Sequence, residues 1–309
     1  MDKLTITRAN FSIYFNESFQ TKEEKELLKY GDYSSNFEAL PNILITNTET
    51  DLEDLERKGL LKKIKLIIHP NSGHDNLSRK IIEKIKVPVI LGNSIRKEAV
   101  VNYILHCILE SAGNIPWRQK WESGRNWERR KLENLDTLII GYGHVGKSLQ
   151  KKIKPLVKKT FIHDPDLGFE NINEASNADI IVICASLTNS SEDLVNKKFL
   201  KNLKKNVTII NPARGKIICL DDLVEFLNKN KSSKAFVDVY PNEPYEIESI
   251  KTINNLFTSC HVAGVYQSID DDIIRFESKV IQDFINLNFS QFEIAYREIN
   301  LTSKISTGV

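Results

Sequence analysis

The sequence predicts an α/β chain of two doubly wound parallel-sheet domains, and three observations predict it. Short β-rich runs alternate with helical patterns along most of the 309 residues. The runs fall into two series, and those of the second are nearly unbroken branched apolar stretches, as expected of strands covered on both faces. At about 150 residues per domain, the length also gives two units.

The first series is NILIT at 42–46, IKLIIH at 64–69 and VPVIL at 87–91. Helices are predicted between them, because Leu52, Leu55, Leu60 and Leu61, then Leu77, Ile81, Ile82 and Ile85, recur at helical spacing. An apolar helix over 95–112 follows. All three tryptophans come next: Trp117, Trp121 and Trp127 read equally as an exposed arm or interface patch and as ordinary packing. The second series runs TLIIG at 137–141, TFIHD at 160–164, DIIVIC at 179–184, VTIIN at 207–211 and AFVDV at 235–239. A long amphipathic helix over 268–288, carrying Ile273, Ile274, Val280, Ile281, Phe284 and Ile285, closes the pattern.

Composition removes several function classes. The 43 Lys+Arg against 41 Asp+Glu leave a formal charge of +2, too little for a field that gathers nucleic acid or anionic lipid. The sequence has neither 18 consecutive apolar residues nor a secretory leader at its start, so no membrane and a cytoplasmic location are expected. Cys107, Cys184, Cys219 and Cys260 form no CxxC pair and read as core thiols. With no ligand-spaced histidines either, no metal is expected.

Directly after TLIIG comes GYGHVGK, with Gly141, Gly143 and Gly146 in G-x-G-x-x-G spacing before a helical run. A buried strand before the loop and a helix after it are the context in which this spacing binds a dinucleotide. Gly141 permits the tight turn, Gly143 lets a pyrophosphate approach the backbone, and Gly146 lets the helix pack against the strand. Free N–H groups at the helix start then face the phosphates. Asp164, at the end of the next strand, is placed to accept from a ribose 2′-hydroxyl and to repel a 2′-phosphate, which predicts NAD as the cofactor.

Three polar residues fall at the ends of later strands, where open α/β sheets bind ligands. They are Arg214 in INPARGK, Glu243 in VDVYPNEP and His261 in FTSCHVAG. Together they supply what reduction of a 2-oxo acid needs. The guanidinium forks onto a carboxylate and the adjacent carbonyl oxygen. The imidazole donates a proton to the developing alkoxide, and the carboxylate favours its protonated form and fixes its orientation. The hydride comes from the cofactor.

With these motifs in order and at matching separations, the chain resembles the D-isomer-specific 2-hydroxyacid dehydrogenase family over nearly its whole length. In that family the arginine of N-x-A-R-G, the glutamate of D-V-x-x-x-E-P and the histidine of H-x-A-G are catalytic, which implies those roles for Arg214, Glu243 and His261. The cofactor set then expected is Gly141, Gly143, His144, Val145, Gly146, Asp164, Pro165, Ala213 and Asp238. The resemblance implies that NSGHDN at 71–76 binds the substrate carboxylate through amides near Ser72 and Gly73. His74 sits inside this loop at a position usually apolar in the family, and it reads as turned to solvent, with contact to the substrate side chain as the alternative. It implies a homodimer whose interface holds the tryptophan-bearing arm. It also implies a Rossmann-type nucleotide domain (94–265) inserted into a substrate domain made of 1–93 and 266–309.

Some positions depart from the family pattern. Ser186 and Cys260 stand where it has proline, Cys219 where it often has an acidic residue, and Asn102 where glutamate is frequent. Asn47, Thr48 and Glu49 replace the arginines with which phosphoglycerate-acting relatives meet a phosphate, so the expected substrate is a small 2-oxo or 2-hydroxy acid without one. The alternative carried with this reading is an NADH-sensing binding protein of the same fold with little catalysis.

Overall fold

The computed structural model describes residues 4–12, 17–113, 121 and 129–307. The chain divides into two compact units, Met1–Arg96 with Tyr266–Val309, and Lys97–Val265.

The first unit begins with β1 (Leu4–Arg8), α1 (Glu17–Leu27), β2 (Gly31–Ser34) and β3 (Ile43–Ile45). It continues through α2 (Leu52–Arg57), β4 (Leu66–His69), α3 (Arg79–Ile85) and β5 (Val89–Leu91) to the start of α4 (Asn93–Gly113). Each start and stop has a local cause. The Asp51 side chain accepts from the amides of Glu53 (2.8 Å) and Asp54 (3.1 Å) and so caps α2, while Lys86 turns left-handed at φ 53° and ends α3.

The five strands are all parallel, in the order β2-β1-β3-β4-β5. Alternate side chains feed two cores. Leu44, Ile67, Val89 and Leu91 pack with residues of α2 and α3 on one face, and Ile6, Ile43, Ile45, Leu66, Ile68 and Ile90 line the other. At the end of β1 the fully buried Arg8 is bidentate on Glu23 of α1 and bonds Glu277 (2.5 Å), and Tyr33 donates to Glu23 (2.6 Å). Two carboxylates around one buried guanidinium, in low dielectric, raise the pKa of Glu277 well above the ordinary carboxylate range, with burial the leading cause.

The second unit takes the rest of α4, then β6 (Asp136–Ile140), α5 (His144–Ile153), β7 (Lys159–Asp164), β8 (Phe169–Glu170) and β9 (Ile180–Ile183). It is completed by α6 (Lys197–Leu200), β10 (Thr208–Asn211), α7 (Leu220–Lys229), β11 (Lys234–Val237) and β12 (Leu256–Thr258). The sheet order is β12-β11-β10-β9-β6-β7-β8, parallel except for the two-residue edge strand β8, which the run-by-run reading did not contain. Leu138 and Ile140 fall in one core and Ile139 in the other, and the same alternation holds for Ile181 against Ile180 and for Val237 against Phe236. The chain reverses its winding between β6 and β9, which makes a crevice beyond their carboxyl ends.

The first unit is completed by α8 (Ile269–Asn286), α9 (Phe289–Tyr296) and α10 (Leu301–Thr307). Val280, Ile281, Phe292 and Tyr296 close one face of its sheet, and Leu301 joins the core on the other. Three acidic residues, Asp270 to Asp272, occupy the first turn of α8, where negative charge suits the helix dipole.

Trp121 is 92% exposed, and Trp117 and Trp127 lie outside the described residues. The core-thiol expectation needs one correction. Cys107 is buried and Cys184 and Cys219 half-buried, but Cys260 is exposed, because it follows β12 at the sheet's carboxyl edge. Among the described residues, no helix is long and apolar enough to cross a membrane, and no three His, Cys, Asp or Glu side chains cluster to hold a metal.

Candidate active site

The glycine loop sits at the winding reversal of the second unit, and its three glycines answer three different demands. Gly141 has φ 93°, and a Cβ there would stand 2.4 Å from the Ala185 nitrogen just beyond β9, so only glycine fits. At Gly146 a Cβ would lie 2.2 Å from the Gly141 carbonyl oxygen, so α5 could not approach β6 so closely. Around Gly143 a Cβ would meet nothing within 4 Å. The chain therefore needs no glycine there for its own packing, and the open space lies where a pyrophosphate would approach the backbone.

Helix α5 opens at His144, adjoining Val145, and Lys147 N is the amide that reaches back to Gly143 O (3.0 Å). The amides of the turn before it are not used by the helix itself. Asp164 ends β7 and accepts from the Tyr142 amide through Oδ2 (2.6 Å), which brings its carboxylate onto the glycine loop. Pro165 follows at the first position of a short 3-10 turn. Space over Gly143, unspent helix amides and a carboxylate at the end of the second strand are the features a dinucleotide requires, so this unit fits NAD.

Strands β10, β11 and β12 are neighbours, so the loops beyond their carboxyl ends lie side by side. Beyond β10, the buried Asn211 accepts from Ala213 N (3.1 Å) and donates to Arg214 O (3.0 Å), fixing the turn that presents the half-buried Arg214. The Arg214 guanidinium donates to Ala213 O (2.8 Å). Gly215 then passes so near β11's exit that a Cβ would lie 1.9 Å from the Tyr240 carbonyl carbon. Beyond β11, Glu243 accepts from Tyr240 N through Oε1 (2.9 Å) and lies 2.6 Å from His261 Nδ1 through Oε2. A carboxylate at Nδ1 makes that nitrogen the donor, which leaves Nε2 as the ring nitrogen that Glu243 does not engage.

His261 itself has φ 54°, uncommon for a residue with a side chain. Asp238 holds it there. Its backbone carbonyl accepts from His261 N (2.7 Å), Oδ1 accepts from Ser259 Oγ (2.6 Å) and Val262 N (2.8 Å), and Oδ2 accepts from Ala263 N (2.8 Å). Asp238 is fully buried, and these partners all belong to the histidine's own loop. Tyr103 bonds Ser259 Oγ (2.7 Å), and Tyr240 donates to Ser259 O (2.9 Å). Burial pushes the Tyr240 phenol up to about 12, so it stays a donor. Asn211 and Ser259 carry this scaffolding, and the sequence reading assigned neither a role. The available signal was an Asn closing a buried strand, a familiar turn former.

Ser72 and Gly73 lie in the first unit, in the loop after β4. The Pro70 carbonyl accepts from Arg96 Nη1 (2.7 Å) and the Asn71 carbonyl from Gly92 N (3.1 Å). His74 is half-buried, with Nδ1 3.2 Å from Ser72 O.

Comparison with known proteins places this architecture. The family model for the D-isomer specific 2-hydroxyacid dehydrogenase, NAD binding domain, matches residues 105–263, more than half of the chain. Erythronate-4-phosphate dehydrogenase from Wigglesworthia glossinidia brevipalpis is 30% identical over 234 residues, covering 72% of this chain and 57% of that protein. Human glyoxylate reductase/hydroxypyruvate reductase is 28% identical over 227 residues, covering 65% and 68%. D-lactate dehydrogenase from Aquifex aeolicus, solved with NAD and lactic acid, shares the fold with a TM-score of 0.72 at 17% identity, covering 96% of this chain and 99% of that one. Matches to several curated dehydrogenases span only 41 to 57% of those proteins. With glycine loop, strand order and family model all falling on one unit, the chain belongs to the D-isomer specific 2-hydroxyacid dehydrogenase family.

Proposed function

We propose that the chain interconverts a small 2-oxo acid and its D-2-hydroxy acid, with NAD as the cofactor. The observation that carries this reading is the 2.6 Å contact between His261 and Glu243 beside the loop of Arg214, at the carboxyl edge of three adjacent strands. Bound NADH supplies the hydride. His261 gives a proton to the carbonyl oxygen as it becomes an alkoxide, and takes it back in the oxidative direction. Glu243 orients the ring and stabilises its cationic form. Arg214 holds the carboxylate and carbonyl oxygen, and the amides near Ser72 and Gly73 hold the carboxylate. Gly141, Gly143, His144, Val145, Gly146, Asp164, Pro165, Ala213 and Asp238 make up the proposed cofactor set, in which Asp238 also anchors the histidine loop. In this reading 94–265 is the nucleotide domain and the remainder the substrate domain. The proposal includes a homodimer, which sedimentation velocity tests, and a cytoplasmic location, which cell fractionation tests.

An unphosphorylated substrate follows from Asn47, Thr48 and Glu49, which offer a phosphate no cation. The test is NADH oxidation with glyoxylate, hydroxypyruvate, pyruvate, branched 2-oxo acids and 2-oxo-3-hydroxy-4-phosphobutanoate. Turnover of at least one unphosphorylated acid is expected. Turnover of the phosphorylated acid alone would overturn the substrate class. NADH binding without any turnover would favour the binding-protein alternative.

A further inference from the structure

The loop after β4 owes its shape to donors that hold its carbonyls, and one of these is a histidine with no part in the proposed chemistry. Pro70 O is held by Arg96, Asn71 O by Gly92 N, and Gly73 O by His69 Nε2 at 2.8 Å. In a trans peptide the C=O and the following N–H point in opposite directions. Fixing the three carbonyls therefore turns the N–H groups of Asn71, Ser72 and His74 away from those donors. Among the described residues, the amides of Asn71, Ser72 and Gly73 donate to no protein acceptor. Gly73 N–H shares its peptide with Ser72 O, which has His74 Nδ1 at 3.2 Å. Consecutive open amides are what anion-binding concavities are built from.

We infer that His69 is a positioning residue for an anionic substrate, holding the Gly73 carbonyl so that the loop presents amides, and not an oxygen, to the substrate carboxylate. This rests on the reading of the loop as the carboxylate site. His69 closes β4, which lies between β3 and β5, and has no exposed surface. Both ring nitrogens are engaged. A carbonyl only accepts, so Nε2 carries the hydrogen, and Nδ1 accepts from the hydroxyl of the equally buried Thr46 at 2.8 Å. The ring is thus locked in one neutral tautomer. Burial pushes its pKa down to about 4, helped by His74 and Arg96 and outweighing Gly73 and Asp75, which favour the charged form. An apolar side chain could fill the same space, but it would leave the Gly73 peptide free to turn over. Glycine makes that rotation easy, and a flipped peptide would carry its oxygen to the side away from His69, next along the chain to the open amides of Asn71, Ser72 and Gly73.

The test compares His69→Phe, which keeps a ring but no donor, with His69→Gln, which restores an N–H. Three quantities are measured: steady-state kinetics of NADH oxidation with a 2-oxo acid, oxalate binding by calorimetry, and NADH affinity. The inference expects His69→Phe to raise KM and weaken oxalate about tenfold, the loss of roughly one hydrogen bond. It also expects kcat and NADH affinity within about twofold of wild type, and recovery of most of the loss in His69→Gln. A merely structural role would lower Tm without this split. KM and oxalate affinity unchanged in His69→Phe would overturn the inference. Should that variant not fold, Thr46→Val, which removes the hydroxyl that orients the ring, serves instead: a raised KM supports the inference and an unchanged one overturns it. If wild type binds oxalate and His69→Phe does not, yet no 2-oxo acid is reduced, the inference stands and the reductase reading falls. If wild type neither binds oxalate nor reduces any acid, both fall.

Discussion

Replacing Asp238 with Asn changes one atom in a buried carboxylate that holds the histidine loop by three hydrogen bonds, from Ser259 Oγ, Val262 N and Ala263 N. The amide oxygen can still accept two of them, from Ser259 and Val262. Its NH2 then faces the Ala263 N–H, donor against donor. One charge-assisted bond is lost, worth about 1.5–3 kcal/mol, and an unpaired buried donor is left behind, so a total near 3 kcal/mol is expected. For a unit of this size that lowers Tm by roughly 6–12 °C. The loop that holds His261 at φ 54° loses an anchor, so kcat falls as well, by about tenfold or more. Scanning calorimetry reads the first effect and steady-state NADH oxidation the second. Ser259→Ala removes one donor to the same carboxylate but leaves Oδ1 its bond from Val262 N and no buried donor unpaired there, so it gives a smaller shift of about 1.5 kcal/mol. A Tm within about 2 °C of wild type and an unaltered kcat in Asp238→Asn would show that Asp238 does not anchor the histidine loop.

The glycine loop gives a paired prediction. Gly146→Ala forces a Cβ against the Gly141 carbonyl and lowers both Tm and NADH affinity, whereas Gly143→Ala meets no protein atom and lowers NADH affinity at unchanged Tm. Calorimetry and fluorescence titration of NADH separate the two. The pH dependence of stability carries a signature of His69, whose pKa in the folded chain, pushed down by burial to about 4, lies below the ordinary imidazole value of 6.5. Between those values the unfolded chain takes up a proton that the folded form refuses. This contribution is therefore complete above about pH 6.5 and is lost as pH falls through 4, to at most on the order of 3 kcal/mol. Denaturant unfolding of wild type and His69→Gln from pH 7.5 to 4.5 should show the shallower acid-side loss in the variant.

What could be read from the sequence was what depends on local pattern. Unbroken runs such as IIVI at 180–183 and TIIN at 208–211 announce strands covered on both faces, because nothing polar interrupts them. The first strands and helix stayed hidden for the converse reason. β1 is LTITR, ending on an arginine that is buried only because Glu23 and Glu277 come to meet it across the fold, and β2 is GDYS. The short edge strand β8 and the helices α9 and α10 take their form from tertiary contacts rather than strong periodicity. At the site, residue types and their order pointed to Glu243 and His261, but the scaffolding around them could not be seen. Ser186 and Cys260 stand where proline would stiffen the loops, and the structure supplies restraint by other means. Ser191 Oγ bonds Ser186 O (2.7 Å) and accepts from Thr188 N (2.8 Å), and Asp238 grips the loop containing Cys260. Such substitutes lie several residues away and follow no spacing rule.

In the proposed reaction His261, turned by Glu243, moves the proton. Turnover of a reducible 2-oxo acid by His261→Ala, measured beside its NADH affinity, tests this most directly. A loss of about 10²–10⁴-fold in kcat with NADH affinity unchanged is the predicted result. Undiminished kcat would contradict the claim.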